Sequence, residues 1–206
     1  GAQVYIDQTM IPIFGTLTEA PSPVREEEPL PSATMKATLP GIRARLQASW
    51  VPRLQRALRT FLAEQRNEIA ARVEDRHAHI SRKPSETSAW WSGNWDRKLR
   101  EALLPLMEEM GQQTSQRVAV KVRPPAKADG DYLERVLKLI RDSAGVRIGG
   151  INETTRDDIR RLVEQGVEQG LSSAELGRSI REATTFNDVR AEMIARTETM
   201  NAYNEA

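Results

Sequence analysis

Residues 41–80, GIRARLQASWVPRLQRALRTFLAEQRNEIAARVEDRHAHI, decide the fold, because their apolar side chains recur every three or four residues. This spacing places the side chains on one face of a helix. A helix over residues 53–80 is about 42 Å long, which is close to the width of a compact protein of this size. The pattern therefore predicts a helix that spans the whole body or projects from it, buried along Ile42, Leu46, Trp50, Leu54, Leu58, Phe61, Gln65, Ile69, Val73, His77 and Ile80.

The segment before this helix, residues 1–40, is rich in proline and in short β-prone runs. Six of the eleven prolines lie there, and proline interrupts helices. The composition fits a disordered linker or an extended arm that lies on a neighbouring subunit. We predict an extended proline-rich arm at 1–40, a long-helix region with a Trp-rich connection at 41–125, and a further helical region at 126–206.

Most of the remaining sequence has helical spacing, with one exception. A helix that begins near Trp95 is expected to end near Gly111. The apolar residues after it alternate as in a short strand, at Val118, Val120 and Val122.

Glycines at 145, 149 and 150 predict a flexible turn between two helices. Ser172 and Glu175 have the spacing of a capping box, which marks the start of the next helix. A last helix from about Asn187 is expected to bury Val189, Met193, Met200 and Tyr203. The predicted fold class is mainly α: an elongated bundle of long amphipathic helices with an extended N-terminal arm and at most one short β element.

Composition and motifs exclude several classes of protein. The chain has no cysteine, which excludes disulfides and thiolate nucleophiles, and its net charge of +1 argues against a general nucleic-acid-binding protein. No apolar run reaches the roughly 18 residues of a membrane span, so no membrane contact is expected. His77 and His79 point about 200° apart on a helix, and no catalytic or phosphate-binding motif is present. We therefore predict no enzyme, cofactor, metal or small-molecule substrate.

The first candidate for partner binding is a tryptophan cluster. Trp90, Trp91 and Trp95 provide three of the four tryptophans of the chain within six residues. Tryptophan dominates the energetics of many interfaces, so the cluster is a candidate anchor for a protein partner. The alternatives are a plug for the core where long helices meet, and a platform for base stacking.

The second candidate is a basic helix face that contains Arg53, Arg56 and Arg59. Residues 41–83 hold ten Lys and Arg against four Asp and Glu, the largest local excess of charge in the chain. Such a face is typical of a solvated amphipathic helix, and it also suits an inter-subunit contact or a contact with packaged DNA.

The sequence from Ile151 onward resembles a known family. Three features follow in the family's order: a helix that begins INETTR at 151–156, the capped helix from Ser172, and the run RAEMIARTET at 190–199 that leads into NAYN at 201–204. In this order and spacing the segment is similar to the phage Mu F-like head morphogenesis proteins, which are minor capsid proteins. The resemblance is firm from 151 to 206 and looser over 41–150.

The resemblance implies a structural component of a tailed-phage head that acts at, or is fused to, the portal vertex in head assembly and DNA packaging. Its implied partners are the portal and other head proteins, in a homo-oligomer or a ring. Its implied location is the virion head, and the host cytoplasm during assembly.

Arg196 and Glu198 lie in the family-like run but are two residues apart on a helix, so they do not face each other. We expect each to pair with a neighbouring helix or subunit. Two alternative functions remain: an internal head protein that holds DNA through the Arg-rich 41–83 helix, and the N-terminal part of a delivered effector enzyme.

Overall fold

The computed structural model describes residues 33–122 and 129–205, with side chains described for 41–117 and 131–204. This part of the chain contains no strand, so the prediction of a mainly α fold is confirmed. Two short 3₁₀ turns, Thr87–Ala89 and Thr184–Phe186, join helices. The six helices are α1 Ala33–Asp75, α2 His77–Arg82, α3 Trp95–Val122, α4 Asp129–Glu168, α5 Ser173–Glu182 and α6 Asp188–Glu205.

Helix α1 carries the predicted stripe as its buried face. Each stripe residue from Ile42 to Val73 is at most 6% exposed, and Ile80 continues the buried row into α2. His77 is the exception, because its ring is half-buried and its Nε2 lies 3.1 Å from the carbonyl oxygen of Leu171. The helix has 43 residues, or about 64 Å, and it continues through Pro52.

Helices α3, α5 and α6 pack against α1, and α4 packs mainly against α3. Helix α6 runs antiparallel to α1, because Arg59 pairs with Asp188 at 2.9 Å whereas Arg43 donates to the sulfur of Met200 at 3.1 Å. Apolar residues from all of these helices form one hydrophobic core. The core therefore includes residues from both predicted regions, 41–125 and 126–206.

A buried chain of hydrogen bonds joins α1, α4 and α3. Gln65 of α1 donates to the side-chain oxygen of Asn152 at 3.1 Å, and Asn152 of α4 donates to Asp96 of α3 at 2.7 Å. Gln65 and Asn152 are at most 2% exposed. A buried polar group without a partner is costly, so this chain favours the one helix register in which all three side chains meet.

Two expectations about helix boundaries are wrong. Helix α3 does not end at Gly111 and its backbone stays helical to Val122, so the predicted strand at Val118, Val120 and Val122 is absent. Helix α4 contains the glycines at 145, 149 and 150, so they form no turn. In both cases packing against a neighbouring helix outweighs the low helix propensity of glycine, which costs about 1 kcal/mol per glycine.

The predicted arm at 1–40 lies mostly outside the described residues, which begin at Ala33. From Ala33 the backbone is already that of α1, so the described end of this segment is helical and not extended. The helix start predicted near Gly41 is therefore eight residues too late.

Helix α5 is held against α1 by the ion pair of Arg181 and Glu74. The two terminal nitrogens of the Arg181 guanidinium donate to the Glu74 carboxylate, at 2.8 and 2.9 Å. Gly177 makes this possible, because a Cβ at that position would overlap the Glu74 side chain. The hydrogen bonds from Arg181 hold the pKa of Glu74 below its usual value. The predicted capping box of Ser172 and Glu175 is present at the start of α5.

Gly111 sets the distance between α3 and α4, because a Cβ there would overlap the end of the Ile140 side chain, which is fully buried. We expect Gly111→Ala to lower the free energy of unfolding by about 1 kcal/mol, since overpacking costs about 1–3 kcal/mol and outweighs the gain in helix propensity. Gly149→Ala is the matched control, because its Cβ meets open space, and it should gain about 0.5–1 kcal/mol. Equal increases in the free energy of unfolding for both variants would contradict this prediction, because they would show that a methyl group fits between α3 and α4 at position 111.

The acid sensitivity of the fold should decrease in a Glu74→Gln variant. Because the pKa of Glu74 is lower in the folded than in the unfolded protein, the folded state binds fewer protons in acid, and acid favours unfolding. The contribution of the pair is complete above the unfolded-state pKa of about 4.3 and is lost as the pH falls through the folded-state pKa. Urea unfolding at intervals from pH 7 to pH 3 measures this, and identical pH dependences for both proteins would contradict it.

Candidate functional site

An open groove of about 660 Å³ lies between α4, the turn Thr184–Phe186 and α6. Two of the three features that carry the family resemblance, residues 151–156 and 190–199, meet in it. Its lining combines apolar side chains with two ion pairs that join α4 to α6. We take this α4–α6 groove as the candidate functional site, because it brings together residues that are 32 to 51 positions apart in sequence.

Arg190 anchors the start of α6 to α4 at one side of the groove. Its side chain is only 12% exposed and pairs with Asp158 at 3.4 Å. It also donates to the carbonyl oxygen of Ile151 at 3.2 Å and to the hydroxyl of Thr155 at 3.0 Å. Burial lowers the pKa of Arg190, and the nearby Asp158 carboxylate opposes this effect. Three hydrogen-bonding groups of α4 are thereby held around the guanidinium of one α6 residue.

Arg147 and Glu198 form the second link between α4 and α6. The Nε of Arg147 donates to Glu198 at 2.7 Å, and the two side chains are 19% and 6% exposed. The expectation that Glu198 pairs with a neighbouring helix is confirmed. Its partner Arg147 lies outside the family-like run, so no local pattern indicated which helix supplies the partner.

The surface between these links is more apolar than its sequence indicates. The hydroxyl of Thr154 donates to the carbonyl oxygen of Gly150 at 2.9 Å, and that of Thr197 donates to the carbonyl oxygen of Met193 at 3.0 Å. Both threonines therefore satisfy their hydroxyl groups within their own helix. The groove is thus suited to an apolar partner surface, with ion pairs at its sides.

The prediction that Val189 and Met193 belong to the core is wrong. They are 72% and 61% exposed and line the groove. Helix α6 instead buries its small residues Ala191, Ala195 and Ala202, which allow it to lie close to its neighbours. Met200 and Tyr203 are only partly buried. The spacing of the alanines was the signal for this inversion, because they recur on one helix face.

Arg196 lies on the outer side of α6. Its side chain is 67% exposed and pairs with Glu192 at 2.6 Å, one turn earlier in the same helix. Arg196 therefore pairs with no other helix among the described residues, and its expected pairing with a neighbouring subunit stays a prediction. Of the two residues predicted in the family-like run, Glu198 links helices and Arg196 does not.

The tryptophan cluster lies in the core. Trp90 and Trp95 are at most 1% exposed, and Trp95 contacts Phe61 edge to face with 5.7 Å between ring centroids. Trp91 is partly buried and packs edge to face on Trp90. The side chains of Trp90 and Trp95 thus offer no surface to a partner, and the alternative of a core plug describes them.

The basic face of α1 is largely neutralised by acidic side chains of this chain. Arg53 stacks on Trp50 and binds Glu109 through two hydrogen bonds, at 3.1 and 2.8 Å. Arg59 pairs with Asp188. Arg56 forms no ion pair within the described residues and lines a second groove, of about 480 Å³, between α1 and α3.

Within residues 33–122 and 129–205, no helix is long and apolar enough to cross a membrane. No group of three or more His, Asp or Glu side chains there is arranged to hold a metal ion.

Comparison with known proteins gives no match: no protein-family model, no curated protein and no solved structure matches this chain. The resemblance to the Mu F-like proteins therefore stays a prediction that depends on the residues quoted above. The groove is defined by the structure alone.

We expect mutations of the two residues predicted in the family-like run to change the free energy of unfolding by very different amounts. Glu198→Ala should lower the free energy of unfolding by about 2–4 kcal/mol, because it leaves the mostly buried Arg147 without its carboxylate. Arg196→Ala should change it by less than about 0.5 kcal/mol, since an exposed pair within one helix contributes little. Thermal and urea unfolding measure both, and a similar loss in the two variants would contradict this assignment.

Proposed function

We propose that the protein is a structural component of a tailed-phage head that acts at, or is fused to, the portal vertex in head assembly. One observation supports this most: two of the three stretches that resemble the Mu F-like proteins, 151–156 and 190–199, meet at the α4–α6 groove and line it. Arg190 and Glu198 are held there in ion pairs between helices, which is a structural use of charge.

The groove suits a contact with another protein. Val189 and Met193 expose large apolar side chains beside it, and an exposed apolar surface flanked by polar groups is typical of an interaction site. We propose that an apolar segment of the portal, or of a head protein next to it, covers these two side chains. The charged pairs at the sides of the groove then favour one orientation of that segment.

An internal head protein that holds DNA is the second candidate. Arg45 and Arg56 favour it, since they are exposed and form no ion pair within the described residues. Arg53 and Arg59 weigh against it, because each is already paired with a carboxylate. Affinity for duplex DNA should fall steeply with salt if such a surface exists, and a salt-independent or undetectable affinity excludes it.

The proposed function is tested by a groove variant in assembled heads. Met193→Glu keeps the length of the side chain but places a charge in the apolar part of the groove, so the number of copies per purified head should fall at least tenfold. Asn67→Asp is the matched control, because it adds the same charge at an exposed position of α1. Quantitative mass spectrometry of purified heads measures the copies, and the melting temperature checks that both variants fold.

The outcomes separate the site from the function. Normal incorporation of Met193→Glu would show that the groove is not the contact surface. Absence of the wild-type protein from purified heads, either as a separate chain or joined to the portal, would reject the proposed function itself.

A further inference from the structure

A stripe of exposed apolar side chains runs along the outer face of α4. Tyr132, Leu139 and Val146 are 42%, 49% and 79% exposed and follow one another at intervals of seven residues. Seven residues are almost two helical turns, so the three side chains lie in a nearly straight row about 21 Å long. Such a row is typical of a helix that packs against a second helix. We call it the α4 stripe.

We propose that the α4 stripe is the contact surface between two copies of this chain, which pair through antiparallel α4 helices about a two-fold axis at Leu139. This self-association goes beyond the proposed function and holds whether or not the chain acts at a portal.

The spacing of the stripe is self-complementary in this arrangement. Tyr132 and Val146 lie seven residues before and seven residues after Leu139. A two-fold axis at Leu139 therefore places the large Tyr132 of one copy opposite the small Val146 of the other, twice. Leu139 meets its own equivalent on the axis. An interface that uses the same patch on both subunits requires this kind of symmetry.

The charges beside the stripe favour the same arrangement. Arg135 and Asp142 are exposed on one edge of the stripe, and neither forms an ion pair within the described residues. Arg135 lies four residues before Leu139 and Asp142 three residues after it. In the antiparallel pair, Arg135 of one copy and Asp142 of the other therefore lie on the same edge of the interface. Their heights along the helix axis differ by about one residue rise, or about 1.5 Å.

A parallel pair lacks these contacts. Each side chain of the stripe would then face its own equivalent at the same height, so that Tyr132 meets Tyr132 and Val146 meets Val146. In a parallel pair, Arg135 and Asp142 of one copy lie on one edge of the interface and those of the other copy lie on the opposite edge. Neither side chain then meets an opposite charge. The charge pattern thus selects a second copy in the antiparallel orientation over other ways of covering the stripe.

Ser143, beside the stripe, adds no polar cost to burial. Its hydroxyl donates to the carbonyl oxygen of Leu139 at 2.7 Å, within α4. Packing a second helix over Ser143 therefore leaves no buried hydroxyl donor without a partner.

The first test is the oligomeric state of the full chain by sedimentation equilibrium over a range of concentrations. We expect a monomer–dimer equilibrium, and Leu139→Glu should raise the dissociation constant at least a hundredfold by placing two carboxylates on the axis. Asn67→Asp is the control: it adds the same charge at an exposed position of α1, outside both the stripe and the groove, and it should dimerise normally. A monomer at all concentrations would overturn the proposal.

Charge reversal tests the ion pairs. Arg135→Asp and Asp142→Arg should each weaken the dimer at least tenfold, because each places like charges together across the interface. The double variant restores opposite charges and should recover most of the wild-type affinity. Additive losses in the double variant would overturn the antiparallel register.

Cysteine cross-linking determines the orientation, because the natural chain contains no cysteine. Under mild oxidation Leu139→Cys should cross-link to itself, since a disulfide needs Cα atoms closer than about 7 Å. Neither Tyr132→Cys alone nor Val146→Cys alone should cross-link. In each case the two copies of the cysteine are about 21 Å apart along the helix axis. A mixture of the Tyr132→Cys and Val146→Cys proteins should cross-link as a heterodimer. Self-cross-linking of either single variant would show a parallel pair and overturn the proposal.

Discussion

The buried face of α1 is the constraint on which the rest of the structure depends. One side of a 43-residue helix supplies a continuous apolar surface, and α3, α5 and α6 each cover part of it. Burial of a large apolar side chain contributes about 1.5–3 kcal/mol, so a row of them determines which helices must gather there. The hydrogen bonds of Gln65, Asn152 and Asp96 then fix the register of three helices.

The buried face of α1 could be read from the sequence because its signal is long. From Ile42 to Val73 the period of 3.6 residues is repeated about nine times with large side chains, and no other structure buries them all. Short patterns were misleading because a few residues do not distinguish a strand from a helix. Three alternating valines at 118, 120 and 122 fit a strand and a helix equally, and the backbone there is helical.

The candidate site was harder to predict, because its walls depend on contacts between distant residues. Arg147 and Glu198 are 51 positions apart, and nothing local marks them as a pair. Helix α6 also inverts the usual rule, with Ala191 and Ala195 buried and Met193 exposed. A small residue at a helix contact permits close packing, and sequence reasoning that assigns every large apolar side chain to the core misses this possibility.

Helices α6 and α4 both expose large apolar side chains that a partner surface can cover. Helix α6 is held by close contact of small side chains and by the ion pairs of Arg147 and Arg190, so it does not need its large apolar residues for the interior. Helix α4 likewise turns Leu139 and Val146 outward. Exposed apolar area costs about 25 cal/mol per Å², which a partner surface recovers when it covers that area. Gly150, one turn after Val146, lines the α4–α6 groove, so the two surfaces adjoin along α4.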